Sequence, residues 1–125
     1  MASDKTLHVE LVAADRVVWS GEATQVSART SEGDLGVLVD HAPALSVLVP
    51  GVVRIESEGE VVIAVVEEGF LSVADNRVSI LSEDAHLAGE IDRADVEAEL
   101  ERARSEGDDA AVRRAEAKLR GAELV

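Results

Sequence analysis

The sequence contains no cysteine. That removes thiol catalysis, disulfide stapling and cysteine-ligated metals together, and it is compatible with a reducing cytoplasm. Aromatics are almost absent: Trp19 and Phe70 stand alone, with no tyrosine. Proline occurs twice, at Pro43 and Pro50. Basic side chains are scarce, 12 against 26 acidic ones, for a formal net charge of −14. Phosphate backbones are bound by clustered Lys and Arg, so no nucleic-acid partner is expected, nor direct docking on anionic lipid. No apolar run approaches the ~20 residues of a membrane-spanning helix, and Met1 to Glu10 has no apolar signal core. The expectation is a soluble protein without direct membrane insertion.

Catalytic signatures are missing as well. There is no G-x-x-x-x-G-K, no G-x-G-x-x-G and no G-x-S-x-G in the sequence. His8, His41 and His86 are isolated, without a metal-type partner at short spacing, so no metal site is expected. The acidic pairs Glu32 with Asp34, Glu67 with Glu68, and Glu83 with Asp84 could face a cleft as glycosidase carboxylates do. In so acidic a chain they read better as solvated surface, and Glu67-Glu68-Gly69 as a charged turn.

What is abundant is valine and alanine, in different places. Residues 1–86 hold 17 of the 20 valines, while residues 87–125 hold three valines and nine alanines. Valine suits pleated strands and alanine suits helices. The chain therefore reads as mostly β with α: a β-rich region over 1–86 and a helical region over 87–125. Strands are expected at Thr6–Ala14, Arg16–Ser20, Ala23–Thr30, Leu35–Val39, Ala44–Val49, Val52–Glu56, Val61–Val66, Phe70–Ala74 and Val78–Leu81. Ser20-Gly21, Ser31-Glu32-Gly33-Asp34, Pro50-Gly51 and Asp75-Asn76 supply turns. The apolar run Val61–Val66 predicts a strand buried on both faces. Many short strands of this kind suggest a sandwich or barrel.

The helical region opens on Asp92 as N-cap, with Asp95 in the first turn. Val96, Leu100 and Ala103 form one apolar stripe; Val112, Ala115, Leu119 and Ala122 form another. Ser105-Glu106-Gly107-Asp108 breaks the pattern, Asp109 caps the second helix, and Gly121 sits as a C-terminal glycine. Each helix is expected to be ~12 residues, too short to be stable alone. This region also holds seven of the twelve basic residues, among them Arg102, Arg104, Arg113, Arg114, Lys118 and Arg120. They form either a helix surface paired at i,i+4, as Asp109 to Arg113 and Glu116 to Arg120, or a face offered to an acidic partner.

The segment from Glu32-Gly33-Asp34-Leu35-Gly36 through His41-Ala42-Pro43 to Pro50-Gly51 resembles the signature of the ε subunit of bacterial F-type ATP synthase. Leu7–Val12 with Trp19-Ser20-Gly21, Gly69–Val73 and Asn76–Leu81 resemble further blocks of that family in the same order. The resemblance implies an N-terminal ten-stranded β-sandwich over 1–86, followed by a C-terminal two-helix hairpin over 87–125. It implies a non-catalytic rotor component rather than an enzyme, peripheral at the cytoplasmic face of the cell membrane, that couples proton translocation to ATP synthesis. Its partners would be the γ subunit, the ring of c subunits, and the α and β subunits through the hairpin. Asp34 and His41 take the positions of the family's ring contact. The six basic residues take those of a brake on ATP hydrolysis. No cofactor is implied, although some members bind ATP as a regulatory ligand. Here Ile91, Asp92, Arg102, Arg114 and Lys118 match that pattern, but the motif arginine falls on Asp95 and its alanine on Val96. Many members carry proline-glycine where this chain has Val39-Asp40. The alternative is a β-sandwich adaptor in another multisubunit complex; a small hydrolase using an acidic pair is a third reading.

Overall fold

The computed structural model describes residues 5–125, so Met1–Asp4 of the N-terminal stretch lie outside the described residues. Ten strands are formed: β1 Leu7–Val12, β2 Val17–Ala23, β3 Gln25–Thr30, β4 Gly33–Leu38, β5 Ala44–Leu48, β6 Gly51–Ser57, β7 Glu60–Val66, β8 Gly69–Ala74, β9 Arg77–Ser82 and β10 Ala85–Leu87. A 3-10 turn at Ala88–Glu90 leads to helices α1, Arg93–Glu106, and α2, Asp109–Glu123.

The strands follow the order β10-β7-β6-β3-β5-β8-β9-β1-β2, with β4 added to β3 alone. Neighbours are antiparallel except β1 and β9, which run parallel from His8↔Arg77 to Val12↔Leu81. The sheet folds over at β3–β5, joined by the single pair Thr30↔Leu48. Beyond β2 it closes back on β6: Thr24 N and Oγ1 donate to the Glu56 carbonyl at 2.8 and 3.1 Å, and Ser57 Oγ to the Glu22 carbonyl at 2.8 Å. The two layers enclose Leu7, Val9, Leu11, Val26, Val37, Leu48, Val53, Ile55, Leu71, Val73, Val78 and Ile80, all essentially inaccessible. Each such side chain contributes ~1.5–3 kcal/mol by leaving water. Alternation puts them inward at every second residue, so β-branched and leucine side chains build the core, with Trp19 packed against its margin and Phe70 outside it.

Several boundaries move for identifiable reasons. Ser20-Gly21 is no turn: β2 runs straight through it to Ala23. Gly21 lies under the Trp19 indole, where a Cβ would stand 2.9 Å from Cη2, so its small size serves close approach. The reversal comes at Thr24 instead. The next reversal takes only Ser31-Glu32, with Gly33 at φ +116° already opening β4. Thr30 Oγ1 closes it, donating to the Gly33 carbonyl at 2.7 Å and accepting from Glu32 N at 3.2 Å. Asp75 and Asn76 do form the β8–β9 hairpin turn, both at positive φ. In β7 only Ile63–Val66 is buried on both faces, while Val61 is 44% exposed, because α2 covers just one end of the strand. β10 has three residues and no legible periodicity; the pattern of the sequence omits it.

In the hairpin, Asp92 Oδ1 accepts from Ala94 N at 3.0 Å and Asp95 N at 3.3 Å, and Gly107 ends α1 in the left-handed region. The cap of α2 is Asp108, not Asp109: its Oδ1 accepts from Ala111 N at 3.1 Å. The helices reach 14 and 15 residues rather than ~12. Val96, Leu100 and Ala115 form the hairpin's own core, with Ile91, Val112 and Leu119 against it. Gly121 is not a terminal glycine. It lies buried inside α2, against the methyls of Val65 and Val52, where a Cβ would overlap Val65. With Ala117 it forms a second, small-residue face by which α2 lies on β6 and β7.

Candidate functional site

Two surfaces stand out, and each falls on one part of the molecule. The first is the outer face of the β5-β8-β9-β1-β2 layer. Register sets Val47 opposite Phe70, Phe70 opposite Leu81, Leu81 opposite Val12, and Val12 opposite Val17. Residues opposite one another share a face, so these five make one apolar row across five strands. Val47, Phe70, Leu81 and Val17 are each at least half exposed, and Val12 is half-buried. Leu45, two residues from Val47 on the same face, is 73% exposed. A contiguous exposed apolar row marks a protein interface. The sequence shows these residues only as strand hydrophobics; their alignment needs the register.

The second surface is the seam between hairpin and sandwich. Arg114 forks onto Glu68, with Nε–Oε1 3.1 Å and Nη2–Oε2 3.0 Å, and its Nε lies 3.3 Å from Glu67 Oε1. Lys118 reaches Glu99 of α1 at 3.3 Å. The expected pairs Asp109–Arg113 and Glu116–Arg120 are not ion pairs among the described residues; the helix cations bridge between elements instead. Burial, followed by the nearby Asp84 charge, pushes the Glu67 carboxyl up from its ordinary range. Burial is also the largest influence on Asp84 and pushes it up, but the His86 hydrogen bond at 3.1 Å together with the His86 and Lys118 charges holds Asp84 low. Hydrogen bonding from Arg114 holds Glu68 low.

The six basic residues do not form one face. Arg102, Arg114 and Lys118 line a seam depression of about 190 Å³ with Glu67, Glu99 and Glu106. Arg113 and Arg120 lie on the other flank of α2, facing Arg29 of β3. Arg104 stands exposed in the last turn of α1. Of the residues matched to a nucleotide pattern, Ile91 packs into the hairpin core and Asp92 is engaged as N-cap. Arg114 and Lys118 are paired with carboxylates. The depression beside Ile91, about 180 Å³, is lined by Glu90, Asp92, Asp95 and Glu99 against Lys118 and His86. Both depressions are smaller than the ~300 Å³ of ordinary ligand pockets.

Asp34 and His41 lie at opposite ends of β4, separated by roughly 13 Å of strand. Asp34 is exposed beside the β3–β4 turn. His41 is half-buried, with its N–H on the Leu38 carbonyl and Nδ1 2.6 Å from the Ala42 carbonyl. Before it, Asp40 adopts φ +67°, the conformation a glycine takes without strain and one that Asp tolerates. Asn76 fixes Asp40 from across the fold: Asp40 N donates to Asn76 Oδ1 at 2.6 Å, and Asn76 Nδ2 to Asp40 Oδ1 at 3.0 Å. That link spans 36 residues and had no signal in the sequence. Among the described residues no three His, Asp or Glu side chains are grouped to hold a metal ion.

The family model for the ATP synthase delta/epsilon chain β-sandwich domain matches residues 6–88. The chain belongs to the ATP synthase delta/epsilon family. The ATP synthase epsilon chain of Streptomyces avermitilis is 60% identical over 115 residues, 91% of this chain and 93% of that one. That of Corynebacterium glutamicum is 47% identical over 114 residues, covering 90% and 89%. That of Nocardia farcinica is 42% identical over 125 residues, covering 98% and 95%. Among solved structures, a chain of the Euglena gracilis mitochondrial ATP synthase, in the assembly of OSCP, F1 and c-ring, is similar with TM-score 0.73 and 29% identity, over 91% of this chain and 75% of that one. A chain of the Tetrahymena thermophila central stalk and c-ring shares the fold, with TM-score 0.60 and 23% identity over 78% and 74%. Epsilon-family chains are non-catalytic subunits of ATP synthase. No helix among the described residues is long and apolar enough to cross a membrane.

Proposed function

We propose that this chain is a non-catalytic rotor subunit of the ATP synthase central stalk, and that the apolar row Val47–Phe70–Leu81–Val12–Val17 is its seat on the γ subunit. The row carries the reading, because a rotor part has to be fixed to its shaft through a surface that excludes water. Residues 1–86 would supply the docking body, and 87–125 a regulatory arm. Asp34 and His41, at the two ends of the edge strand β4, would touch the c-ring at separate points. The assembly would hold the chain peripherally at the cytoplasmic face of the membrane. The hairpin lies folded onto β6 and β7 in this structure. Its release would free Arg102, Arg114 and Lys118 from their seam carboxylates and present them, with Arg104, Arg113 and Arg120, to acidic segments of the α and β subunits. That exchange of partners is how the arm would brake ATP hydrolysis. The carboxylate-filled depressions favour a brake that operates without nucleotide.

The test adds purified chain to a synthase complex depleted of its epsilon subunit. Coupling of ATP hydrolysis to proton pumping should return, and a chain lacking 87–125 should dock equally well while leaving hydrolysis higher. Phe70→Asp should abolish docking without unfolding the chain, since Phe70 contributes nothing to the core. Docking unaffected by Phe70→Asp removes the assigned face; absence of both docking and an effect on hydrolysis removes the rotor reading.

A further inference from the structure

The apolar row lies at one end of its layer, and that position decides what else a partner must cover. Val47 is next to the end of β5, Phe70 next to the start of β8 and Leu81 next to the end of β9, while Val12 ends β1 and Val17 begins β2. A single row across five strands measures about 24 Å by 7 Å, far less than the ~800 Å² that each partner gives to a stable interface. Along the strands the seat can grow in one direction only, away from these ends.

Two residues further along, Leu45, Ser72, Ser79, Glu10 and Ser20 stand opposite one another. Beyond them come Ala74, Arg77, His8 and Glu22. Of these, His8 is half-buried and the others are exposed. The layer thus grades from apolar side chains, through small hydroxyls, to charge.

His8 stands among the charged groups. Its Nδ1 lies 2.9 Å from Glu22 Oε2 on β2, and its Nε2 lies 3.7 Å from Glu10 Oε1 on its own strand. Arg77 is its register partner on β9. Thr6 Oγ1 donates to Glu22 Oε1 at 2.7 Å; that bond first, and the His8 bond next, hold the Glu22 carboxyl below its ordinary range. A neutral imidazole donates from one nitrogen and accepts at the other. With its proton on Nδ1, toward Glu22, it turns a lone pair toward the Glu10 carboxylate. Solvent tolerates that arrangement on an open face. Under a partner it buries an acceptor against an acceptor, which is costly. The charges agree: two carboxylates against one guanidinium leave one negative charge uncompensated, and a proton on His8 cancels it.

We infer that docking on this face takes up one proton, held by His8 between Glu10 and Glu22, and that the partner surface over them carries no cation of its own. The inference rests on the reading of the apolar row as the γ seat. The proton is the counter-charge that such a partner does not supply. Docking therefore tightens as pH falls through the range in which an imidazole titrates.

The test titrates the full chain into a synthase complex depleted of its epsilon subunit, from about pH 6 to about pH 8.5, in buffers of different ionisation enthalpy at constant ionic strength. The parent should lose up to about tenfold in affinity per pH unit toward the alkaline end, the slope of one proton. Its heat of docking should vary with the buffer by the same proton. His8→Gln should dock without slope, at the parent's alkaline affinity. Glu10→Gln, which removes the uncompensated charge, should also lose the slope but keep the parent's acid-end affinity. Both variants should melt as the parent does. A slope that survives in both variants, or heats independent of buffer, overturns the inference; if Phe70→Asp still abolishes docking, the γ seat stands without it. Docking unaffected by Phe70→Asp removes the seat and the inference together.

Discussion

The sandwich and the hairpin are made of different material and are held by different forces. Twelve of the sandwich's leucine, isoleucine and valine side chains are almost wholly withdrawn from water. The hairpin buries only Val96, Leu100, Ala103, Ala115, Ala117 and Gly121. Small side chains bring little apolar area to a contact, and hydrophobic stabilisation scales with that area. The hairpin's attachment therefore leans on the fit of one face and on ion pairs at its edge. A densely cored body and a lightly attached arm are thus distinguished by composition alone.

Substitutions can break this contrast from either side. The largest effect is expected in the sandwich: Leu71→Ala should cost ~2–5 kcal/mol, read as a lower midpoint of global denaturant unfolding. Gly121→Leu should act only on the arm, pushing α2 off Val65 at a cost of ~1–3 kcal/mol in docking. Amide exchange in α2 should rise sharply while the sandwich midpoint stays put; a matching drop in both would mean the two parts unfold as one. Asp92→Ala removes the two cap hydrogen bonds of α1 and should cost ~1 kcal/mol, seen as fraying of α1 in carbon chemical shifts. Arg114→Gln should be the mildest, ~0.5–1 kcal/mol for a partly exposed pair, again measured by α2 exchange.

The pH response sharpens the same point, because the two seam carboxylates oppose each other. Glu68 is held below the ordinary 4.5, so its contribution is present above that pH and is lost as pH falls through the lowered value. Glu67 is pushed above 4.5, so its contribution is present below that pH and is lost as pH rises through the raised value. Docking in Glu67→Gln should accordingly be stronger than in the parent near neutral pH and flatter between 4.5 and neutrality. Equal pH profiles for α2 exchange in the two proteins would contradict this.

The sequence was informative where a local rule applied and silent where distance mattered. The valine-to-alanine shift marks where strands give way to helices. Asp92, Gly107 and the Asp75-Asn76 pair announce themselves because caps and tight turns act within four residues. Gly21 and Gly121 mislead for a shared reason: each is small to admit a neighbour, Trp19 in one case and Val65 in the other, and a glycine's sequence context does not distinguish a turn from a close approach. The apolar row was hidden because alternation shows which residues share a strand face but not which strands stand side by side. The Arg114 fork joins residues 46 apart, beyond any periodicity. Asp34 and His41 were read together because the resemblance assigns both to one ring contact; the extended run of β4 separates them along the strand.

The parallel pairing of β1 with β9 has a consequence for synthesis on the ribosome. β1 and β2 can join at once, but the other edge of β1 waits for a strand that begins 69 residues later in register, at Arg77 opposite His8. Until β9 leaves the exit tunnel, the first hairpin keeps Leu7, Val9 and Leu11 without a second layer to cover them. Closing so long a loop is the slow, entropy-limited event. The newborn chain thus carries the apolar face of β1 uncovered through most of its own translation, and that interval, rather than the finished fold, is when it is most exposed to aggregation.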